Sequence, residues 1–178
     1  MRSAPSMWRA FPYSKRPFIV NLVLLLMVLF TIIYLLLTID ADLLTLMAIV
    51  VMGFVFLAVL GISPWFTDHE LEDEALILRQ GWYFKARIQL SEIMAIERIP
   101  RGPARTGVYF RLSTPTLYVT TRRKDLAEIV LREERPFIWA LGKKADRIVF
   151  DAEELDALIR SIEGRLSLSP VQPNGPDP

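Results

Sequence analysis

The sequence predicts an α+β membrane protein: a transmembrane helical hairpin followed by a small antiparallel β-barrel or sandwich of about seven strands, closed by a C-terminal α-helix. Three observations predict it. Residues Phe18 to Ile62 contain only two charges, Asp40 and Asp42, while charged side chains crowd the chain after Thr67. From His69 onward, short runs alternate between apolar and polar residues at the period of two that marks half-buried strands. After Phe150 the spacing of apolar residues lengthens to that of one amphipathic helix.

The first apolar run, Phe18 to Ile39, has 22 residues and no charge. At 1.5 Å per residue it extends roughly 33 Å, enough for a ~30 Å hydrocarbon layer. Its polar groups are Asn21, Thr31, Tyr34 and Thr38. It exceeds the 7–15 apolar residues typical of a cleaved export signal, and a second span follows at once. That second run, Leu43 to Ile62, has 20 uncharged residues and carries the small residues Ala48, Gly53, Ala58 and Gly61. Asp40-Ala41-Asp42 between them leaves room only for a tight turn, so the helices are expected as antiparallel neighbours brought close by the small residues. Arg2, Arg9, Lys15 and Arg16 precede the first span and no basic residue lies in the turn. The excess of basic residues on the cytoplasmic side then puts both the N-terminus and the C-terminal domain in the cytoplasm of a multi-pass cell-membrane protein. Trp8, Phe11 and Tyr13 before the spans, with Trp65 and Phe66 after them, are expected as interfacial anchors. Neither span holds an Asp, Glu, Lys, Arg or His, which argues against a transporter or proton pump.

The soluble domain is expected over residues 67–166, between the basic segment 1–17 with the helix pair 18–62 and a proline-rich tail, 167–178, expected to be disordered. His69 to Glu72 and Ala75 to Arg79 flank a turn at Asp73-Glu74, and Gln80-Gly81 makes the next turn. In Trp82 to Gln89, residues Trp82, Phe84, Ala86 and Ile88 share an inward face, against Tyr83, Lys85, Arg87 and Gln89. Leu90 to Ile93 reads as a helical turn. Met94 to Ile99, Val108 to Leu112, Leu117 to Thr121, Leu126 to Leu131, Pro136 to Leu141 and Arg147 to Phe150 read as strands, with a proline- and glycine-bearing loop at Pro100 to Gly107. Asp151 is expected as N-cap and Glu154 as its capping-box partner. The helix that follows presents Leu155, Leu158, Ile159, Ile162 and Leu166 as one apolar stripe.

Seven short strands closed by one helix is the arrangement of pleckstrin-homology (PH) domains. Leu71-Glu-Asp-Glu-Ala-Leu-Ile-Leu-Arg-Gln-Gly-Trp-Tyr-Phe-Lys-Ala-Arg-Ile-Gln-Leu-Ser-Glu-Ile93 and Leu117-Tyr-Val-Thr-Thr-Arg-Arg-Lys-Asp-Leu126 resemble stretches of the bacterial PH-like membrane proteins. The resemblance covers most of residues 18 to 163. It implies membrane helices before a cytoplasmic PH-like domain. Its motifs are structural, so no catalytic residue carries over.

No cysteine is present, which excludes disulfides, thiolate metal sites and cysteine nucleophiles, and His69 is the only histidine. The paired acids Asp73-Glu74, Glu133-Glu134 and Glu153-Glu154 sit in turns or at a helix start, and nucleophile-elbow and phosphate-loop patterns are absent. Trp82 and Trp139 read as core. No catalytic residue, metal site or cofactor is therefore expected, and the chain reads as a binding module rather than an enzyme. Net charge is +1, but no acidic residue lies between Glu97 and Asp125. Arg98, Arg101, Arg105, Arg122, Arg123 and Lys124 form the candidate patch for an anionic ligand or membrane surface, resembling the basic rim of many PH domains. Scattered, solvated arginines remain the alternative. Aromatics are too few among them for a nucleic-acid surface. The expected partners are the bilayer, anionic lipid head groups, or a protein; self-association through an open sheet edge is a further option. The alternative function is a regulatory or assembly subunit of a larger membrane enzyme or transporter, with Gly53, Ala58 and Gly61 packed against it.

Overall fold

The computed structural model describes residues 8–140 and 142–168. Arg2, Leu141, the tail from 169 and the side chain of Trp139 lie outside the described residues, and with them the expectations placed there.

The chain opens with a short strand, β1 (Arg9–Phe11), where only a basic segment was expected. Helix α1 (Arg16–Thr38) carries a proline in its first turn, where the missing N–H costs nothing. Its 23 residues extend about 34 Å. Asp40 takes a left-handed conformation (φ 49°) to reverse the chain. Asp42 then caps α2 (Leu43–Phe56), accepting from the Thr45 backbone N–H at 3.0 Å and from its hydroxyl at 2.7 Å. The second helix continues through a π-helical turn (Leu57–Ile62) and a 3-10 turn (Ser63–Phe66). Both helices are long and apolar enough to cross a membrane, and their apolar side chains face outward almost throughout.

The two are antiparallel neighbours at close range. A Cβ on Gly53 would stand 2.3 Å from a Leu29 methyl, and one on Gly61 would stand 2.9 Å from a Leu22 methyl. The glycines serve the hairpin itself, so they no longer argue for a larger partner packed against α2.

The remainder is two sheets and a helix. Strands β2 (His69–Leu71), β3 (Ala75–Gln80) and β4 (Phe84–Gln89) join β1 in a four-stranded antiparallel sheet of order β1-β2-β3-β4. A 3-10 turn (Leu90–Glu92), closed by a reciprocal capping box between Gln89 and Glu92, carries the chain to the second sheet. Strands β5 (Ile93–Arg101), β6 (Gly107–Arg111), β7 (Thr116–Thr120), β8 (Lys124–Pro136) and β9 (Lys144–Phe150) lie there in the order β5-β8-β9-β7-β6. Helix α3 (Leu155–Leu168) packs on β5 and β8 and buries Leu155, Leu158 and Ile162. One core joins both sheets to α3, from Phe11, Leu76, Phe84 and Ile88 to Ile129, Ile148 and Phe150.

Several expectations need correction. The strands number nine among the described residues, in two sheets rather than a closed barrel, and β7 and β9 pair in parallel. Ile138–Ala140 forms a 3-10 turn instead of a strand, because β8 itself runs on to Pro136. Trp82 is 65% exposed, since the turn at Gly81 delays β4 until Phe84 and releases the indole from the alternation. Phe11 and Tyr13 are core residues and not interfacial anchors. Trp8 lies beside the turn at Glu72–Glu74, to which Arg165 of α3 is bonded, rather than beside α1 and α2.

Candidate functional site at the helix–domain junction

The segments entering α1 and leaving α2 are bonded to one another. The Lys15 ammonium donates to Pro64 O at 3.0 Å, to Thr67 O, and to the Asp68 carboxylate at 2.7 Å. The Tyr13 hydroxyl donates to Pro64 O at 2.9 Å and lies 2.8 Å from the Thr67 hydroxyl, which accepts the Gly81 N–H at 2.9 Å. The Ser63 hydroxyl accepts the Trp82 N–H at 3.0 Å. Burial pushes the Tyr13 phenol above its ordinary pKa, so it remains a donor. Gly81 sits at φ +62°, and an added Cβ would fall 2.6 Å from the Ser63 hydroxyl. Gly81→Ala is expected to cost about 1–2 kcal/mol, read as a lowered thermal midpoint of the full chain.

Beneath this latch lies His69, 1% exposed. The Arg79 N–H donates to its Nδ1 at 3.2 Å, and Nε2 lies 3.0 Å from Asp151 O. Nδ1 therefore carries the lone pair and Nε2 the proton. Burial lowers its pKa from 6.5 to about 4. With both nitrogens engaged by the backbone, His69 holds the junction. Asp151 was expected as a helix N-cap. Its fully buried carboxylate instead accepts from the Thr121 N–H at 2.5 Å and from the Thr121 hydroxyl at 2.6 Å. Burial raises its pKa above the ordinary value. Glu154, the expected capping partner, pairs with Arg9 at 3.0 Å.

The same contacts locate the basic residues. Pro12, four residues before α1, accepts the Glu153 N–H at 2.7 Å, Asp151 two residues earlier binds Thr121, and Thr121 leads directly into Arg122, Arg123 and Lys124. Arg101 lies opposite Lys124 across β5 and β8, and the Gly102 N–H donates to Arg123 O at 2.9 Å. Arg101, Arg123 and Lys124 thus form an exposed basic corner linked through Asp151 to the entry of α1. Like charges directly across a ladder repel, and none of the three forms a salt bridge among the described residues, the adjoining Asp125 being bonded to Arg98 and reached by Lys124 only through its charge.

The other three candidates differ. Arg98 is committed to Asp125 at 2.9 Å and Asp156 at 3.0 Å, and it holds the Asp125 carboxyl below its ordinary range. Arg122 turns inward to Asp125 O, Ala152 O and the neighbourhood of Asp151. Arg105 lies in the β5–β6 loop, its guanidinium 5.4 Å from the Tyr109 ring. Exposed Trp65, Phe66 and Trp82 surround the helix exit. Of these, Trp82 escaped the sequence reading because strand periodicity was extended two residues too far. Among the described residues no three His, Asp or Glu side chains gather as metal ligands. Comparison of the chain with protein-family models, with curated proteins and with solved structures finds no match in any of the three.

Proposed function

We propose that this chain is a membrane-anchored, non-enzymatic binding module whose basic corner engages anionic lipid head groups. In this reading α1 and α2 cross the cell membrane as a hairpin, and the basic residues Arg9, Lys15 and Arg16 keep both ends of the chain in the cytoplasm. The two sheets and α3 are a PH-like domain, as the resemblance of residues 71–93 and 117–126 implies. The observation that carries the proposal is the like-charged pair Arg101 and Lys124, with Arg123 beside them, at the end of the domain bonded to the entry of α1. An anion between the two strands relieves their repulsion. Each cation within a Debye length of an anionic leaflet contributes about 1 kcal/mol. Trp65, Phe66 and Trp82 suit the head-group layer, where an indole or phenyl ring finds both apolar and polar surroundings.

The test uses the full-length chain, because a fragment from Thr67 onward lacks β1 and Tyr13. In nanodiscs of neutral or 30% anionic lipid, hydrogen exchange of residues 101–107 and 121–124 should slow several-fold only in the anionic discs. High salt should weaken that protection. Arg101→Glu, Arg123→Glu and Lys124→Glu together should erase it. Equal exchange in both discs would sink lipid recognition and move the corner to a protein ligand.

A further inference from the structure

Asn21 is the only carboxamide side chain between Arg16 and Phe66. It lies five residues past Arg16, about 7.5 Å deeper along the helix. Its side chain is exposed on the outer surface of α1 and has no hydrogen-bond partner among the described residues. The threonine and serine hydroxyls of Thr31, Thr38 and Ser63 behave differently. Thr31 donates to Met27 O, Thr38 to Leu35 O and Ser63 to Val59 O, each satisfied within its own helix. A carboxamide also carries an acceptor oxygen that no N–H of its own helix is free to meet, and in hydrocarbon an unpartnered amide is costly. Beside it, Leu24, Leu25 and Val28 of α1 and Leu60 of the π-helical turn line a shallow groove of about 260 Å³.

We propose that two copies of this chain associate within the membrane through this face, their Asn21 amides hydrogen-bonded to each other across a two-fold axis normal to the bilayer. This rests on the membrane-spanning reading above and adds the partner. The amide argues for a second copy. It carries both donor and acceptor, so it is its own complement, and an isologous contact requires such self-complementarity. Copies inserted in one orientation hold Asn21 at one depth, whereas an unrelated helix would have to match that depth by chance. Asn21, Leu24, Leu25 and Val28 recur at the three- and four-residue spacing that makes one stripe on a helix. The groove beside that stripe receives the partner's leucines.

The absence of cysteine makes the test clean. In native membranes, full-length Leu24→Cys should form a disulfide-linked dimer under mild oxidation, and Val51→Cys, on an exposed face of α2, should not. Adding Asn21→Leu to Leu24→Cys should lower the crosslinked fraction about five-fold, and Asn21→Gln should restore part of it. Crosslinking at position 24 that ignores Asn21→Leu, that matches position 51, or that is absent would overturn the dimer, leaving lipid or another protein's helix on this face. Alkaline carbonate extraction of the same membranes separates the two readings. Release of the chain would overturn the membrane-spanning reading itself, whereas retention without Asn21-dependent crosslinking would overturn the dimer alone.

Discussion

Asp151→Ala should lower the stability of the full chain by about 3–5 kcal/mol. The carboxylate is fully buried, and both donors of Thr121, its N–H and its hydroxyl, converge on it. Deleting it strands the Thr121 N–H and hydroxyl in a closed site and leaves Arg122 without the carboxylate 3.8 Å from its Nε. Asp151→Asn keeps one acceptor oxygen but turns an amide donor toward a donor, so it should recover only part of the loss. Urea unfolding in mild detergent, followed by tryptophan fluorescence, measures both variants against the parent chain. A loss below 1 kcal/mol for the alanine variant would mean that water replaces the carboxylate, and that the junction is wetter than its burial implies.

The second large effect is acid sensitivity centred on His69. Its folded pKa of about 4 lies below the ordinary 6.5, so below pH 6.5 the unfolded chain takes a proton that the folded chain refuses. Stability from this residue is therefore complete above pH 6.5 and is lost progressively as pH falls toward 4. The loss amounts to about 3 kcal/mol at 1.36 kcal/mol per pH unit. The geometry gives the same sign, because protonating Nδ1 destroys the bond from the Arg79 N–H. Asp151 works in the opposite direction. Its raised pKa lets the folded state bind a proton first, which offsets part of the loss at the acid end. His69→Gln should flatten the fall in thermal midpoint between pH 7 and pH 4.5. An unchanged slope in that variant would place the acid sensitivity elsewhere.

What could be read from the sequence was whatever depends on local periodicity. The two apolar helices, the Asp40–Asp42 reversal, the alternation of Phe84, Ala86 and Ile88, and the stripe on α3 all carry their own signal within a few residues. Pairings across long separations carry none. Strand β1 is three residues long and meets its partner β2 about 60 positions later, so nothing near Arg9 announces it. Asp151 illustrates a local rule overruled by a tertiary one. Its position before an apolar helix suits an N-cap, but Thr121 supplies two donors from elsewhere in the chain. The basic candidates divided for the same reason. Charge spacing found all six residues, but only the fold brings Asp125 and Asp156 to Arg98 and leaves Arg101, Arg123 and Lys124 side by side.

The pairing of β1 with β2 has a consequence for biogenesis. Arg9–Phe11 is synthesised before either helix, and His69–Leu71 after both, yet the two strands must lie edge to edge. In the proposed membrane-spanning arrangement, insertion of one helix without the other would leave the strands on opposite sides of the bilayer. The sheet would then lose its outer strand, Phe11 would leave the core, and the Lys15 and Tyr13 bonds to Pro64 and Thr67 could not form. Under the membrane-spanning reading, a chain with only one helix inserted cannot close this sheet, so completion of the fold reports on the insertion of the pair.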